Sequence, residues 1–274
     1  MIRLPLLLLL GGLLCQPALA QPELAGHVSL GASVLRIEAP RVSGGYAFGS
    51  GVMVDVDKLI TNCHVTREAR EIHVVRGGMR WFAAGQAVNI DHDLCLLHVP
   101  GIQARAVPLG QGAELTVGQP LTAHGFTGGT VMQHSAGEVV ALHRHDGAQV
   151  IQASNRFSSG ASGGGLFDDQ GRLVGILTFR LRGGAAHYFA APVEWVRQLL
   201  ETTTPEQFRP IKPFETEQLA YWQQPTNAQP QFLKAAVLQR DSRCADPATE
   251  TRAADTGEPG HAAPAPPPCP PARH

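Results

Sequence analysis

Between residues 29 and 191, apolar residues come in short bursts, alternating with polar ones or running unbroken, and each burst is closed by glycine, proline, asparagine or aspartate. "ASVLRIEA", "YAFGSGVMVDV", "KLITNCHV", "EIHVVRGG", "WFAAGQAVNI" and "DLCLLHV" come first. "QPLTAHGF", "VMQHSAGEVVAL", "AQVIQAS", "GGLFDDQGRLVGILTF" and "AAHYFAAP" follow. Strands of about five to eight residues with almost no sustained helical period predict an all-β barrel or sandwich. "DVDK" and "DDQG" read as hairpin turns. Turn residues dominate 106–118, "AVPLGQGAELTVG", and divide the region into two halves, each with about six strand candidates. "PVEWVRQLLE", residues 192–201, predicts a helix with proline at its first position and Val193, Val196, Leu199 and Leu200 on one face.

Beyond residue 202 the pattern changes. "EQLAYWQQ" and "QFLKAAVLQR" predict amphipathic helices in an extension over 203–245, with Trp222 packing on the β-structure. Residues 246–274 are rich in proline and alanine and predict a disordered or polyproline-like tail.

Composition narrows the function classes. The chain has 274 residues, 43% hydrophobic and 16% charged, with net charge -1. It holds no dense Lys/Arg block, which argues against nucleic acid as a partner. The start, "MIRLPLLLLLGGLLCQPALA", combines Arg3, an apolar run to Leu14 and Ala18-Leu19-Ala20, the pattern of a secretory signal over 1–20 cleaved after Ala20. Bulky Leu14 before Cys15 argues against a lipoprotein signal. No other segment is apolar enough to span a membrane, so stable membrane insertion is not expected. The mature chain is then exported, to the periplasm or the medium. It keeps Cys63, Cys95, Cys244 and Cys269, for which three pairings exist.

The stretch "SSGASGGGLFDD" crowds Gly160, Gly163, Gly164 and Gly165 around Ser162. A serine hydroxyl is a weak nucleophile until a base takes its proton, and a histidine base needs a carboxylate to fix its tautomer. "LITNCHV" runs a β-branched strand into His64, and "HDLCLL" puts Asp93 at the mouth of an apolar strand, where a lone carboxylate is costly. The N–H groups of Gly160 and Ser162 are candidate oxyanion donors.

The order His64, Asp93, Ser162, with "TNCHV", "DLCLL", "GASGG" and the earlier "FGSGVMV", resembles the chymotrypsin-fold serine proteases, above all the bacterial HtrA-type and glutamyl-endopeptidase-like branch. The resemblance covers about residues 29–200. It implies a protease domain over 21–202: two six-stranded antiparallel β-barrels, at about 28–107 and 108–191, with the triad in the cleft between them. It also implies peptide-bond hydrolysis through an acyl-enzyme, polypeptide substrates, and no cofactor or metal. Thr178 should lie close to the triad carboxylate. The backbone of Thr178, Phe179 and Arg180 should pair with the substrate strand. Segments 155–159, 178–180 and 186–189 should wall the pocket for the residue before the scissile bond, with Arg180 an unusual residue at its rim. If His64 and Asp93 touch, their neighbours Cys63 and Cys95 are close enough for a disulfide. The chain departs from the family in two ways: Ala161 replaces an asparagine of the serine loop, and nothing after residue 202 reads as a PDZ domain.

Plainer readings stand beside these. Asp91 is the alternative to Asp93, and His92 and His98 read as surface residues. His143 and His145 share a strand face, as metal ligands or as a polar hairpin end. As a whole, the chain is either an exported endopeptidase or a catalytically silent barrel that binds peptides or proteins. Oligomeric state is not legible.

Overall fold

The apolar bursts fold as antiparallel strands in the computed structural model, which describes residues 30–181, 187–214, 217–235 and 237–238. The expected signal segment, the Cys244–Cys269 pair and the proline-rich tail lie outside the described residues.

Seven strands build the first unit: β1 (Val34–Pro40), β2 (Tyr46–Asp55), β3 (Lys58–Asn62), β4 (His73–Arg76), β5 (Met79–Phe82), β6 (Gly85–Asn89) and β7 (Leu94–His98). Their order is β5-β4-β1-β2-β3-β7-β6, a barrel-like sheet of seven strands, curled into a half-barrel, where six strands in a closed barrel were expected. The extra strand comes from "WFAAGQAVNI", which breaks at Ala83 and Ala84. Its first half pairs with β4 and its second with β7, so one apolar run serves opposite edges of the sheet.

The second unit is a closed six-stranded barrel. It contains β8 (Pro120–Thr127), β9 (Val131–His145), β10 (Ala148–Ala153), β11 (Gly165–Phe167), β12 (Leu173–Leu181) and β13 (His187–Pro192). Closure leaves no free sheet edge except where a strand outruns its neighbour. Strand β12 does so: pairing with β11 ends at Gly165 opposite Ile176, while pairing with β13 continues to Leu181. One edge of residues 178–180 therefore faces the cleft without a strand partner among the described residues.

The two units share a core. Val34, Ile60 and Leu96 of the first pack in one cluster with Phe167, Ile176 and Phe189 of the second. Helix α2 (Val193–Thr202), the second after a single helical turn α1 (Cys63–Thr66), buries Val193, Trp195, Val196 and Leu199 in that cluster. Pro192 caps α2 and so stands one place ahead of its expected position.

The segment after α2 forms turns where the first of the two expected helices was placed, and of the second the described residues show a 3-10 turn followed by helical backbone at 235, 237 and 238. Residues 221–224 form turns, and Gln231–Leu233 is a single 3-10 turn. Ala220 and Tyr221 are both buried and Trp222 half-buried. A one-sided surface helix does not turn three consecutive residues inward. Tyr221, Phe232 and Leu233 instead fasten the segment to the core, Phe232 and Leu233 contributing roughly 1.5–3 kcal/mol each.

Candidate active site

Strand β3 ends at Asn62, and the chain turns at once into α1, which presents His64. Three bonds tie this corner to the turn before β7. The Cys63 N–H and Asn62 Nδ2 both donate to the Asp93 carbonyl, at 3.1 and 3.0 Å, and the His64 N–H donates to Asp93 Oδ1 at 2.8 Å. The remaining carboxylate oxygen, Oδ2, meets His64 Nδ1 at 2.6 Å. Asp93 adopts φ +54°, a left-handed conformation that costs a side-chain-bearing residue about 1–2 kcal/mol. Its side chain is 4% exposed and that of His64 26%. A carboxylate so buried is tolerable because both oxygens accept hydrogen bonds. This network assigns the Nδ1–H tautomer to His64, leaving Nε2 as the acceptor. Cys63 and Cys95, adjacent to these two residues or nearly so, are joined as a disulfide with Cα atoms 4.9 Å apart. Asp91 is exposed and takes no part.

The serine loop is bent by two glycines. Ala161 N–H donates to Ser158 O at 3.0 Å, closing a four-residue turn with Gly160, φ +95°, in third place. Positive φ there defines a type II turn. Its central carbonyl, Ser159 O, accepts from the Gly128 N–H at 2.8 Å. Because the peptide is planar and trans, the Gly160 N–H points the opposite way. Among the described residues neither the Gly160 nor the Ser162 N–H donates to a protein acceptor. Gly163, φ +84°, follows, and a Cβ there would stand 2.1 Å from Ser50 O and 2.3 Å from Thr61 Oγ1.

Ser162 Oγ lies 3.5 Å from the Thr178 carbonyl, a long contact. Among the described residues it makes no hydrogen bond to His64. His64 and Gly160 nevertheless line one cleft, together with Phe48, Val65 and Gly129. Thr178 lies beside the corner but does not bond the Asp93 carboxylate. Its hydroxyl donates to Ile176 O at 2.7 Å and accepts from Asn62 Nδ2 at 3.3 Å. The Phe179 ring is stacked between Phe189 and Trp222, and Arg180 is half-buried opposite Tyr188. Phe157 and Tyr188, from two of the expected pocket walls, have ring centroids 5.1 Å apart.

Three further residues escape the sequence reading. Ser50 Oγ donates to Gly160 O and accepts from the Phe126 N–H, both at 2.8 Å, while its own N–H donates to Ser162 O at 2.8 Å. Glycine neighbours on both sides in "FGSGVMV" were the available signal. Asn62 links Asp93 to Thr178. Tyr221 places a phenol in the core, and burial, with the nearby Asp93 charge, raises its pKa well above the ordinary value.

The histidines outside the site are not surface decoration. His92, 5% exposed, stacks on Trp195 at 3.8 Å and pairs with Asp146 at 2.5 Å. His98 lies against Phe208. His143 bonds Gln152, and His145 sits among Trp195, Tyr221 and Phe232. Among the described residues no three or more His, Cys, Asp or Glu side chains gather to hold a metal.

Residues 49–176 match the trypsin-like peptidase domain family. Serine protease HTRA4 of Mus musculus is 29% identical over 62% of this chain and 37% of its own length. A probable periplasmic serine endoprotease, DegP-like, of Ectopseudomonas mendocina (strain ymp) is 33% identical over 60% of this chain and 38% of its own. The chain thus spans well under half the length of these curated relatives. The HtrA-type protease AlgW with tripeptide superposes with TM-score 0.62 at 23% identity, covering 69% of this chain and 65% of that one. The Rv3671c protease from M. tuberculosis in its active form also gives 0.62, at 19% identity, covering 71% and 90%.

Proposed function

We propose, from the chymotrypsin-fold, HtrA-type peptidase domain that this chain carries, that the protein is an exported serine endopeptidase. The observation that carries the reading is the 2.6 Å pair of His64 and buried Asp93, across one cleft from a serine loop with two unengaged amides. Rotation of the Ser162 hydroxyl away from the Thr178 carbonyl directs its proton to His64 Nε2. Hydrogen bonds of this kind are often long before substrate binds. Oγ then attacks the scissile carbonyl while His64 takes the proton and Asp93 stabilises the imidazolium. The Gly160 and Ser162 N–H groups receive the oxyanion. His64 returns the proton to the leaving amine, and water hydrolyses the acyl-enzyme by the same route.

A polypeptide enters as an added strand on the open edge of residues 178–180, a mode that reads backbone more than sequence. The Phe157 and Tyr188 rings put aromatic surface on two of the expected walls of the pocket for the residue before the scissile bond. Export rests on the amino-terminal sequence and on a relative named as periplasmic. Among the described residues no helix is long and apolar enough to cross a membrane.

The test is a fluorophosphonate probe on the intact protein, with the labelled residue located by mass spectrometry. Labelling at Ser162 is expected. A folded protein that leaves Ser162 unlabelled and casein uncleaved would instead be a silent, peptide-binding barrel.

A further inference from the structure

Trp222 stands between β12 and the His64 corner. Its ring stacks on Phe179 with centroids 5.0 Å apart and planes 14° from parallel. It also meets the His64 ring in a T-shaped arrangement, centroids 6.3 Å apart. Its neighbours Ala220 and Gln223 line a small cavity with His64, Ile90 and Asp93. The segment after α2 thus closes the space between the open β12 edge and the His64 corner.

Side chains of an extended peptide alternate in direction. When the residue carrying the scissile carbonyl turns its side chain into the pocket beside Ser162, the residue before it turns the other way, toward His64 and Phe179. Trp222 occupies the outer part of that space. We propose that Trp222 is a specificity-determining residue that restricts the second position on the amino side of the scissile bond to small side chains. The proposal rests on the endopeptidase reading above.

The alternative is a detachable lid, and the anchoring decides against it. Ala220 and Tyr221 are each 2% exposed, Phe232 7% and Leu233 4%, so the segment is part of the core on both sides of Trp222. Lifting it would strip the shared cluster of its outer aromatic layer, Tyr221 against Phe179 and Phe232 against Phe189. A wall built into the core selects substrates continuously.

The experiment compares kcat/KM for two fluorogenic peptides, identical except for Ala or Leu at that second position, with full-length wild type, Trp222→Ala and Trp222→Phe. Fluorophosphonate labelling of Ser162 is measured on the same preparations. Wild type should prefer Ala by about tenfold or more, the scale on which a few methylenes are discriminated. Trp222→Ala should lose that preference, and Trp222→Phe, which keeps an aromatic ring on Phe179, should lose part of it. Labelled proteins that share one Ala/Leu ratio would overturn the proposal alone. So would a Trp222→Ala variant that cleaves both peptides faster by one common factor, since that is what a lid would do. A wild type with unreactive Ser162 would overturn the endopeptidase reading first and this one with it.

Discussion

In the first sheet, His64 is fixed from within its own unit. The Asp93 carboxylate takes both its backbone N–H and its ring, and the Cys63–Cys95 bridge ties the two chain segments covalently. In the second barrel, the loop carrying Ser162 is held from two sides. Its own unit closes the turn at Ala161 and ties Ser159 O to Gly128 and the Gly163 N–H to Leu177 O, and the opposite unit adds a second set of contacts. Ser50, on β2 of the opposite unit, donates to Gly160 O and Ser162 O and accepts from the Phe126 N–H. Gly163 is hemmed in by Ser50 O and Thr61 Oγ1 from that same unit. His64 thus depends for its placement on its own unit, whereas the Ser162 loop draws on both. Activity should follow the contact between units as well as the integrity of each.

The largest effect breaks the comparison at its root. Ser162→Ala should lower peptide hydrolysis by a factor on the order of 10⁴ or more while leaving the thermal midpoint near that of wild type. Retained turnover would mean that the two units are not halves of one site. Next in size is the covalent tie. Replacing Cys63 and Cys95 by serine frees a loop of sequence separation 32, for which chain entropy predicts a loss of about 3–4 kcal/mol. Urea unfolding of the two proteins measures it. If kcat of the folded variant stays within a few fold of wild type, the carboxylate alone holds the base in place.

How far the sequence foretold this arrangement depends on the range of each interaction. Strands were readable because alternation is local, the corners at His64 and Asp93 because strand ends mark them, and the Ser162 loop because glycines do. "WFAAGQAVNI" misled because a run of apolar residues does not reveal that its halves pair with different partners, β4 and β7. His92 looked like a surface residue because its stacking partner Trp195 lies far along the chain. Ser50 escaped for the same reason, since it matters through a contact at a separation of 110, with Gly160. Trp222 was legible as a residue that packs on the β-structure, but its place against Phe179 and His64 was not.

Ser50→Ala sharpens the claim that the nucleophile loop draws on the opposite unit. It leaves the Gly160 carbonyl and the Phe126 N–H without their partner, which costs about 1–3 kcal/mol for a buried pair. Ser50 is a positioning residue, so its signature should be a fall in kcat of about 10- to 100-fold with little change in KM. Stopped-flow acylation with an activated ester separates this from simple destabilisation. A variant that loses stability but acylates at the wild-type rate would show that the loop holds its own shape.

The smallest effect lies where the second barrel meets the segment bearing Trp222. Burial lowers the pKa of His145, Asp146 opposes it, and the nearby His92 adds a smaller lowering. A histidine whose pKa is lower in the folded chain than in the unfolded one binds its proton more readily when unfolded. It therefore contributes stability above the ordinary imidazole value, about 6.5, and that contribution fades as pH falls below it. The rings packed on His145 are those of Trp195, Tyr221 and Phe232, so protonation loosens α2 and the outer segment together. His145 is partly solvated, so the difference should be modest, on the order of 1–2 °C in the thermal midpoint between pH 7.5 and 5.5. His145→Gln removes the titrating group but leaves the neighbouring His92–Asp146 pair intact. Its midpoint should fall less than that of wild type over the same interval. A parallel fall in both proteins would assign the acid sensitivity to other groups and remove His145 from the account of how the outer segment is held.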